Sequence, residues 1–420
     1  MNKPNSLAQA LGLIETILSE MGGLSKPRLQ FLVWLFGAWL GLPVRRTMMN
    51  LARFGPYCEK SIRLHLARSF CFAEFCRLVI DKRCGAERVC AFDPTFITKA
   101  GQHTYGVDTW WCGTLQRALR GLELGVLGIV DVAARSAFAL QATQTPSMQA
   151  LQEKGQSLME HYVSLLQAQR GRLEQLAVGY VTADAYFAKK SFVDKKSFVE
   201  AVLGMKLHLV TRLRQDANLR YLYHGPPNTT GRPKKYDGKV DCKNIDKRRL
   251  RLFKQDLFKQ DQECCYYSGV VYAVALKRLV RIVYVQENKG KGDRYCIVMS
   301  TDVKLAAEKI VEYYKLRFQI EFLIRDAKGY AGLEECQARD QDKLFFHFNM
   351  ALTTVSLAKA ACWLCVPTQQ RGAFSIRNFK LLFTNRLWTN RVFQNLALDL
   401  SFEKHQQAYQ RCLNIEQLTV

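Results

Sequence analysis

The sequence predicts a mixed α/β protein, and three textures along its 420 residues predict it. Residues 1 to about 86 carry apolar residues at helical spacing between Gly and Pro breaks. From Arg88 to about Ser300, β-branched and aromatic runs dominate, and helical spacing returns after Asp302. A chain of this length that is 48% hydrophobic can bury two or three domain cores, far from the composition of a disordered protein.

In the first texture the spacing predicts helices over Ser6 to Glu20, Arg28 to Leu40, Thr47 to Phe54 and Glu59 to Phe75. The last two, around Gly55 and Pro56, have the outline of a helix-turn-helix. The second helix, with Arg63, could then enter a major groove while Arg45, Arg46 and Arg53 meet phosphates. An ordinary helical hairpin with a basic surface has the same spacing.

In the second texture, "RVCAFD", "HTYGVDTWW", "LGVLGIVDV" and "SAFALQATQT" read as strands, followed by a helix from Met148 to about Ala177 and the strand "VGYVTAD". "AFD" and "TAD" each set an Asp, Asp93 and Asp184, just past a β-run, where ligands of open α/β sheets usually bind. Residues 190 to 300 again favour strands: "MKLHLVTRL", "LRYLY", "YYSGVVYAVAL", "RLVRIVYVQE" and "RYCIVMS". Among them, Arg232 to Lys254 holds ten basic and three acidic residues, a run suited to DNA backbone or to plain solvent exposure. Its "GRPKK", with Arg232, Lys234 and Lys235, has the look of a minor-groove reader. The tandem duplications "KKSFVD/KKSFVE" and "LFKQD/LFKQD" are too short for a solenoid.

The 61 Lys and Arg against 37 Asp and Glu give a net charge of +24, which favours a polyanionic partner such as nucleic acid. The N-terminus lacks the pattern of a signal peptide. "FLVWLFGAWLGL" is too short to span a bilayer, and "FNMALTTVSLAKAACWLC" is interrupted by Asn349 and Lys359, so both read as core helices of a cytoplasmic protein. The 14 cysteines form no framework and suit reduced thiols. Cys362 and Cys365 make one C-x-x-C without a second ligand pair at zinc spacing.

The stretch "YYKLRFQIEFLIRDAK" predicts a helix with an unusual face. With Tyr314 at zero on a helical wheel, Arg317, Glu321 and Lys328 fall within about 60 degrees of it. Ile310, Val311, Phe318 and Ile324 flank that stripe, which turns its polar groups toward whatever the helix packs on. A surface ladder of Glu321 with Arg317 and Arg325 would explain the spacing but not the apolar flanks. An inward carboxylate is costly unless it meets cations. With Asp93 and Asp184, Glu321 would form a trio suited to Mg²⁺ and to in-line phosphoryl transfer by two ions. Seven His residues and no H-E-x-x-H disfavour a zinc hydrolase.

Tyr314, Arg317, Glu321 and Lys328 also match, at every spacing, Y-x2-R-x3-E-x6-K, and here the chain resembles the insertion-sequence DDE transposases of the "four" family. "FDPTFITKAGQHTYGVD" is similar to that family's first-Asp block, "VTADAYF" to its second, and "GLEECQARDQDKLFFHF" to the segment after its Glu helix. The resemblance covers roughly residues 88 to 360. It implies an RNase H-like catalytic core interrupted by a β-rich insertion, with an N-terminal helical DNA-binding domain and a C-terminal helical region. The boundaries that follow are 1–86 for the DNA-binding domain, 87–190 and 296–345 for the core, 191–295 for the insertion and 346–420 for the tail.

By the same resemblance Asp93, Asp184 and Glu321 would hold two Mg²⁺ ions, with Mn²⁺ able to substitute, while Tyr314, Arg317 and Lys328 grip phosphates at a transposon end. Lys99 and His103 would touch DNA, unless that block is only a structured turn at Gly101. The substrates implied are terminal inverted repeats and target DNA, handled by a homodimer in a bacterial cytoplasm through cleavage, a hairpin and strand joining. Residues 190 to 300 depart from some relatives in lacking a Trp to stack on a flipped base, and Tyr223, Tyr236 and Phe253 are the replacements available. Two other classes stay open: a DNA-binding regulator without catalysis, and a simple metal-dependent nuclease.

Overall fold

The computed structural model describes residues 6–188, 197–226, 231–253, 264–287, 294–363, 366–367, 371 and 374–415. The duplicated residues 189–196 and 254–261, and Cys365, lie outside them. Helices α1 (Ser6–Glu20), α2 (Lys26–Gly41), α3 (Met48–Phe54), α4 (Glu59–Ala67) and α5 (Phe72–Arg83) come first. Strands β1 (Arg88–Thr98), β2 (Asp108–Cys112), β3 (Arg117–Asp131) and β4 (Ser136–Gln144) follow, then α6 (Met148–Glu153), α7 (Leu158–Ala168), α8 (Arg170–Gln175), β5 (Tyr180–Ala183) and α9 (Phe198–Gly204). Next come β6 (His208–Leu213), β7 (Leu219–Leu222), β8 (Tyr236–Lys239), β9 (Arg251–Phe253), β10 (Cys264–Ala273), β11 (Arg278–Glu287) and β12 (Arg294–Ser300). The chain closes with α10 (Ala307–Leu316), α11 (Phe318–Tyr330), α12 (Gln341–Cys362), α13 (Ile376–Asn395) and α14 (Glu403–Leu413). None of the described helices is long and apolar enough to cross a membrane.

These elements form two compact units. One comprises Met1–Ala86, Pro94–Met148 and Ile320–Val420, the other Glu87–Asp93 and Gln149–Gln319, so the chain changes unit within β1 and within α11.

In the first unit, β3 pairs antiparallel with β2 and β4. Gly121 lets β3 pass the end of β1, since a Cβ there would lie 2.5 Å from the Ile97 carbonyl oxygen. The outer edge of β4 is sealed by α12. Asn349 accepts from the Ala142 N–H and donates to its C=O, both at 2.8 Å; Ser356 accepts from Ala139 N–H at 2.8 Å, and Lys359 donates to the Ala137 carbonyl at 3.0 Å. The polar residues that interrupt an apolar run are thus the ones that satisfy a buried strand edge. Asn349→Ala is expected to destabilise the chain by about 2–4 kcal/mol, because it removes both bonds to Ala142 and a third to the Phe345 carbonyl and leaves the β4 backbone groups buried without partners, read as a lower urea midpoint. A midpoint unchanged from the parent would show that water replaces the amide.

The helix expected over Glu59 to Phe75 is broken: Arg68 is extended (φ −81°, ψ 136°), and a separate α5 runs on to Arg83. No Gly or Pro marks the break. Buried Arg28 of α2 makes it, donating to the carbonyls of His65 at 2.8 Å and Arg68 at 3.4 Å, a cation capping a helix C-terminus from 37 residues upstream. Burial with the Arg68 charge lowers the Arg28 pKa to about 10. The long helix expected from Met148 is likewise divided, at Gly155 (φ +61°) and by the Ser157–Glu160 capping box that starts α7.

In the second unit the strands run in the order β1-β5-β6-β12-β11-β10-β7-β8, with β9 also on β10. The first three are parallel and the rest antiparallel, so this is a large, mostly antiparallel sheet in a mixed α/β setting. Strands β8 and β9 lie inside the basic run Arg232 to Lys254. On one face Phe92, Tyr162, Phe187 and Phe198 pack at centroid separations of 4.7–6.3 Å. Fully buried aromatics of this kind cost about 3–5 kcal/mol each when truncated to Ala, so β1, α7 and α9 are held firmly beneath the residues described next.

Candidate active site

The parallel pairing of β1 with β5 sets Cys90 opposite Val181 and Ala91 opposite Thr182, and β5 with β6 sets Ala183 opposite Thr211. Continued along the strands, this register brings Asp93, Asp184 and Arg212 into one row. Side chains alternate across a sheet, so buried Phe92 joins the aromatic cluster while Asp93, one residue on, faces the other way. Asp184 follows the last residue of β5 and is exposed; its carboxylate accepts from the Ala185 N–H at 2.6 Å and its carbonyl from Thr211 Oγ1 at 3.1 Å.

Arg317 lies between α10 and α11. It keeps helical angles (φ −51°, ψ −38°), so the expected single helix is divided there with little change of course. Its side chain is only 7% exposed, and Nη1 stands 3.6 Å from Asp93 Oδ1. Arg317 is expected to grip phosphate; in the structure its buried guanidinium has a charge partner in a carboxylate of the row. The guanidinium also covers the Phe318 ring at 4.9 Å. Phe318, expected to face the core, is 47% exposed under that cation. Tyr314, one turn earlier, completes the group. Burial raises its hydroxyl pKa; the Arg317 charge opposes the rise, Asp184 adds to it and Arg212 opposes it.

Glu321 is half-buried on α11 in the first unit. There Lys328 donates to the Phe96 carbonyl at 2.6 Å and pairs with Glu334 at 3.3 Å, and Ile320 packs over Gly128 of β3. Lys328, expected at phosphate, therefore pins α11 to β1. Lys99 is also engaged, half-buried and donating to the Cys336 carbonyl, with burial lowering its pKa. His103 is exposed in the turn before β2, which starts only at Asp108. Arg325 is exposed and pairs with Asp326 at 3.0 Å.

Arg46, expected to meet phosphate, is 4% exposed. It pairs with Glu335 at 3.3 Å and donates to the Tyr330 carbonyl at 2.7 Å, because the loop after α11 folds an acid onto it. Arg45, Arg53 and Arg63 are exposed on or beside the α3–α4 pair, Arg63 bonded to Glu59 and Arg53 to Asn50. In the second unit Arg232, Lys234 and Lys235 are exposed; Lys234 pairs with Asp237 at 2.9 Å and lies over Tyr223. Tyr236 packs at a tilt on Tyr272, ring centroids 4.8 Å apart, and Phe253 on Tyr266 at 5.6 Å.

Side-by-side carboxylates on adjacent parallel strands are hard oxygen donors that fit a divalent cation such as Mg²⁺. Among the described residues, no three His, Cys, Asp or Glu side chains gather to hold a metal. Arg212, which the sequence reading passed over, looks from sequence like any solvent-facing residue of an alternating strand, and only the register reveals its place in the row.

Asp93 within β1 and Asp184 just past β5 thus stand in one row of a mixed α/β sheet, an arrangement open to metal-assisted chemistry. Residues 163–357 match the family model of the transposase DDE domain, and residues 70–252 match that of a DDE superfamily endonuclease. Asp93 falls in the second match, Glu321 in the first and Asp184 in both. The two matches support a place in the DDE transposase superfamily and a transposase function, with DNA as the implied substrate. No curated protein matches the chain.

Proposed function

We propose that this protein is a transposase of the insertion-sequence "four" family, which binds terminal inverted repeats, cleaves the transposon ends through a hairpin and joins their 3′-hydroxyls to target DNA. What carries the reading is the adjacency of Asp93 and Asp184 on β1 and β5, within overlapping transposase and endonuclease matches. Glu321 is the third acid on the strength of the signature spacing. These three would hold two Mg²⁺ ions, with Mn²⁺ able to substitute, and the bound cations supply a reactive nucleophile and charge for the leaving oxygen. Arg317, 3.6 Å from Asp93, orients that carboxylate. Tyr314, protonated at neutral pH, can donate to a phosphate oxygen, and exposed Arg212 can meet one. Arg45, Arg53, Arg63, Arg232, Lys234 and Lys235 would track backbone phosphates, and the protein would act as a homodimer in the bacterial cytoplasm.

In this reading residues 1–86 bind DNA, 87–190 with 296–345 form an RNase H-like core, 191–295 the insertion and 346–420 the helical tail. Incubation with Mg²⁺ and a donor carrying matched terminal repeats should yield cleaved ends and joined products. Tight end binding without cleavage would leave a regulator instead, and cleavage without joined products would leave a nuclease.

A further inference from the structure

Beside the α2–α3 connection, the first unit holds a polar cavity of about 610 Å³ lined by Arg45, Arg46, Asn50, Glu335, Gln337 and Lys380, among others. The charges do not balance. Glu335 is taken by Arg46, which leaves Arg45 and Lys380 as a net +2 at the wall. Among the described residues, neither side chain donates to a protein acceptor. Lys380 is half-buried on α13, so its ammonium has given up part of its water without gaining a partner.

We propose that this cavity is a phosphate-binding site, separate from the carboxylate row, in which Arg45 and Lys380 hold the anion and Gln337 donates to it. A guanidinium fork and a point charge from different elements can enclose a tetrahedral oxyanion. The Arg46–Glu335 pair serves as a rigid wall, and Asn50 is committed to Arg45, its amide donating to the Arg45 carbonyl at 2.9 Å. The Lys380 pKa is lowered to about 8, by burial first and then by Arg46, with Glu335 opposing, which is the imbalance an incoming anion would relieve. The cavity is open to solvent and wider than one oxyanion, which leaves room for a phosphate carried by a DNA backbone or by a free phosphate compound.

The test uses the full chain, titrated with inorganic phosphate at ionic strength held constant with chloride and followed by phosphorus NMR line broadening. The parent should bind, Arg45→Gln with Lys380→Gln should bind at least about tenfold more weakly, and Lys380→Arg should retain binding. Equal melting curves for parent and variants exclude a folding defect. Should the doubly substituted chain also bind an unrelated duplex more weakly, with a shallower salt dependence, the source is DNA backbone; unchanged duplex affinity assigns the site to free phosphate compounds. Failure of the parent to bind phosphate, or equal binding by the double variant, overturns the proposal. The DNA-backbone arm rests on the reading of Arg45 as a phosphate contact; no cleavage or joining is measured, so failure of this site and failure of the transposase reading are told apart.

Discussion

Asp184→Asn is expected to lower the rate of cleavage at a transposon end by at least about 10³-fold, a loss of roughly 4 kcal/mol in transition-state stabilisation, while leaving the fold intact. The amide keeps the side chain's shape but removes one charge and one hard oxygen donor from the row with Asp93. The position tolerates the change structurally: Asp184 is exposed, and its Ala185 N–H bond can pass to the amide oxygen. Glu321→Gln should produce a loss of the same order, and it tests something the row does not contain. If Asp184→Asn is inactive and Glu321→Gln is active, the catalytic acids are the β1–β5 pair and the signature Glu is a support for α11. Binding to end DNA, measured separately, should be kept or slightly strengthened in both, since each substitution removes a negative charge facing a polyanion. Parallel loss of binding and cleavage would mean that these carboxylates hold the structure rather than the chemistry.

Much of this layout is legible in the sequence, and the limits have identifiable causes. Of the two Asp residues expected just past a β-run, Asp184 does follow the end of β5, whereas Asp93 lies within β1, which runs on to Thr98; their adjacency depends on a register between strands far apart in the chain. Charge is where sequence says least. Arg46, Arg317, Lys99 and Lys328 are expected at DNA because a cation with a protein partner and one without look alike in one dimension. Their partners, Glu335, Asp93 and the carbonyls of Cys336 and Phe96, lie far along the chain. The break between α4 and α5 is hidden for the same reason, since Arg28 makes it by tertiary contact. Conversely, Asn349 and Lys359 were visible as interruptions of an apolar run, yet only the β4 edge explains why a core helix keeps them.

Arg317 supplies the sharpest separation between a phosphate ligand and a positioning group. Arg317→Met should lower the cleavage rate about 10²- to 10³-fold with little change in end-DNA affinity, because the guanidinium is buried against Asp93 rather than presented to solvent. Arg317→Lys, which keeps the charge but not the planar fork, should recover only part of the rate and leave end-DNA affinity where it is. A phosphate-gripping Arg317 predicts the reverse: weaker DNA binding and a salt dependence shallower by about one ion in the methionine variant. The two sets of outcomes do not overlap. Should the methionine variant merely melt early, the lysine variant still discriminates, because a purely structural cation would restore stability and rate together, whereas a positioning group would restore stability and leave the rate low.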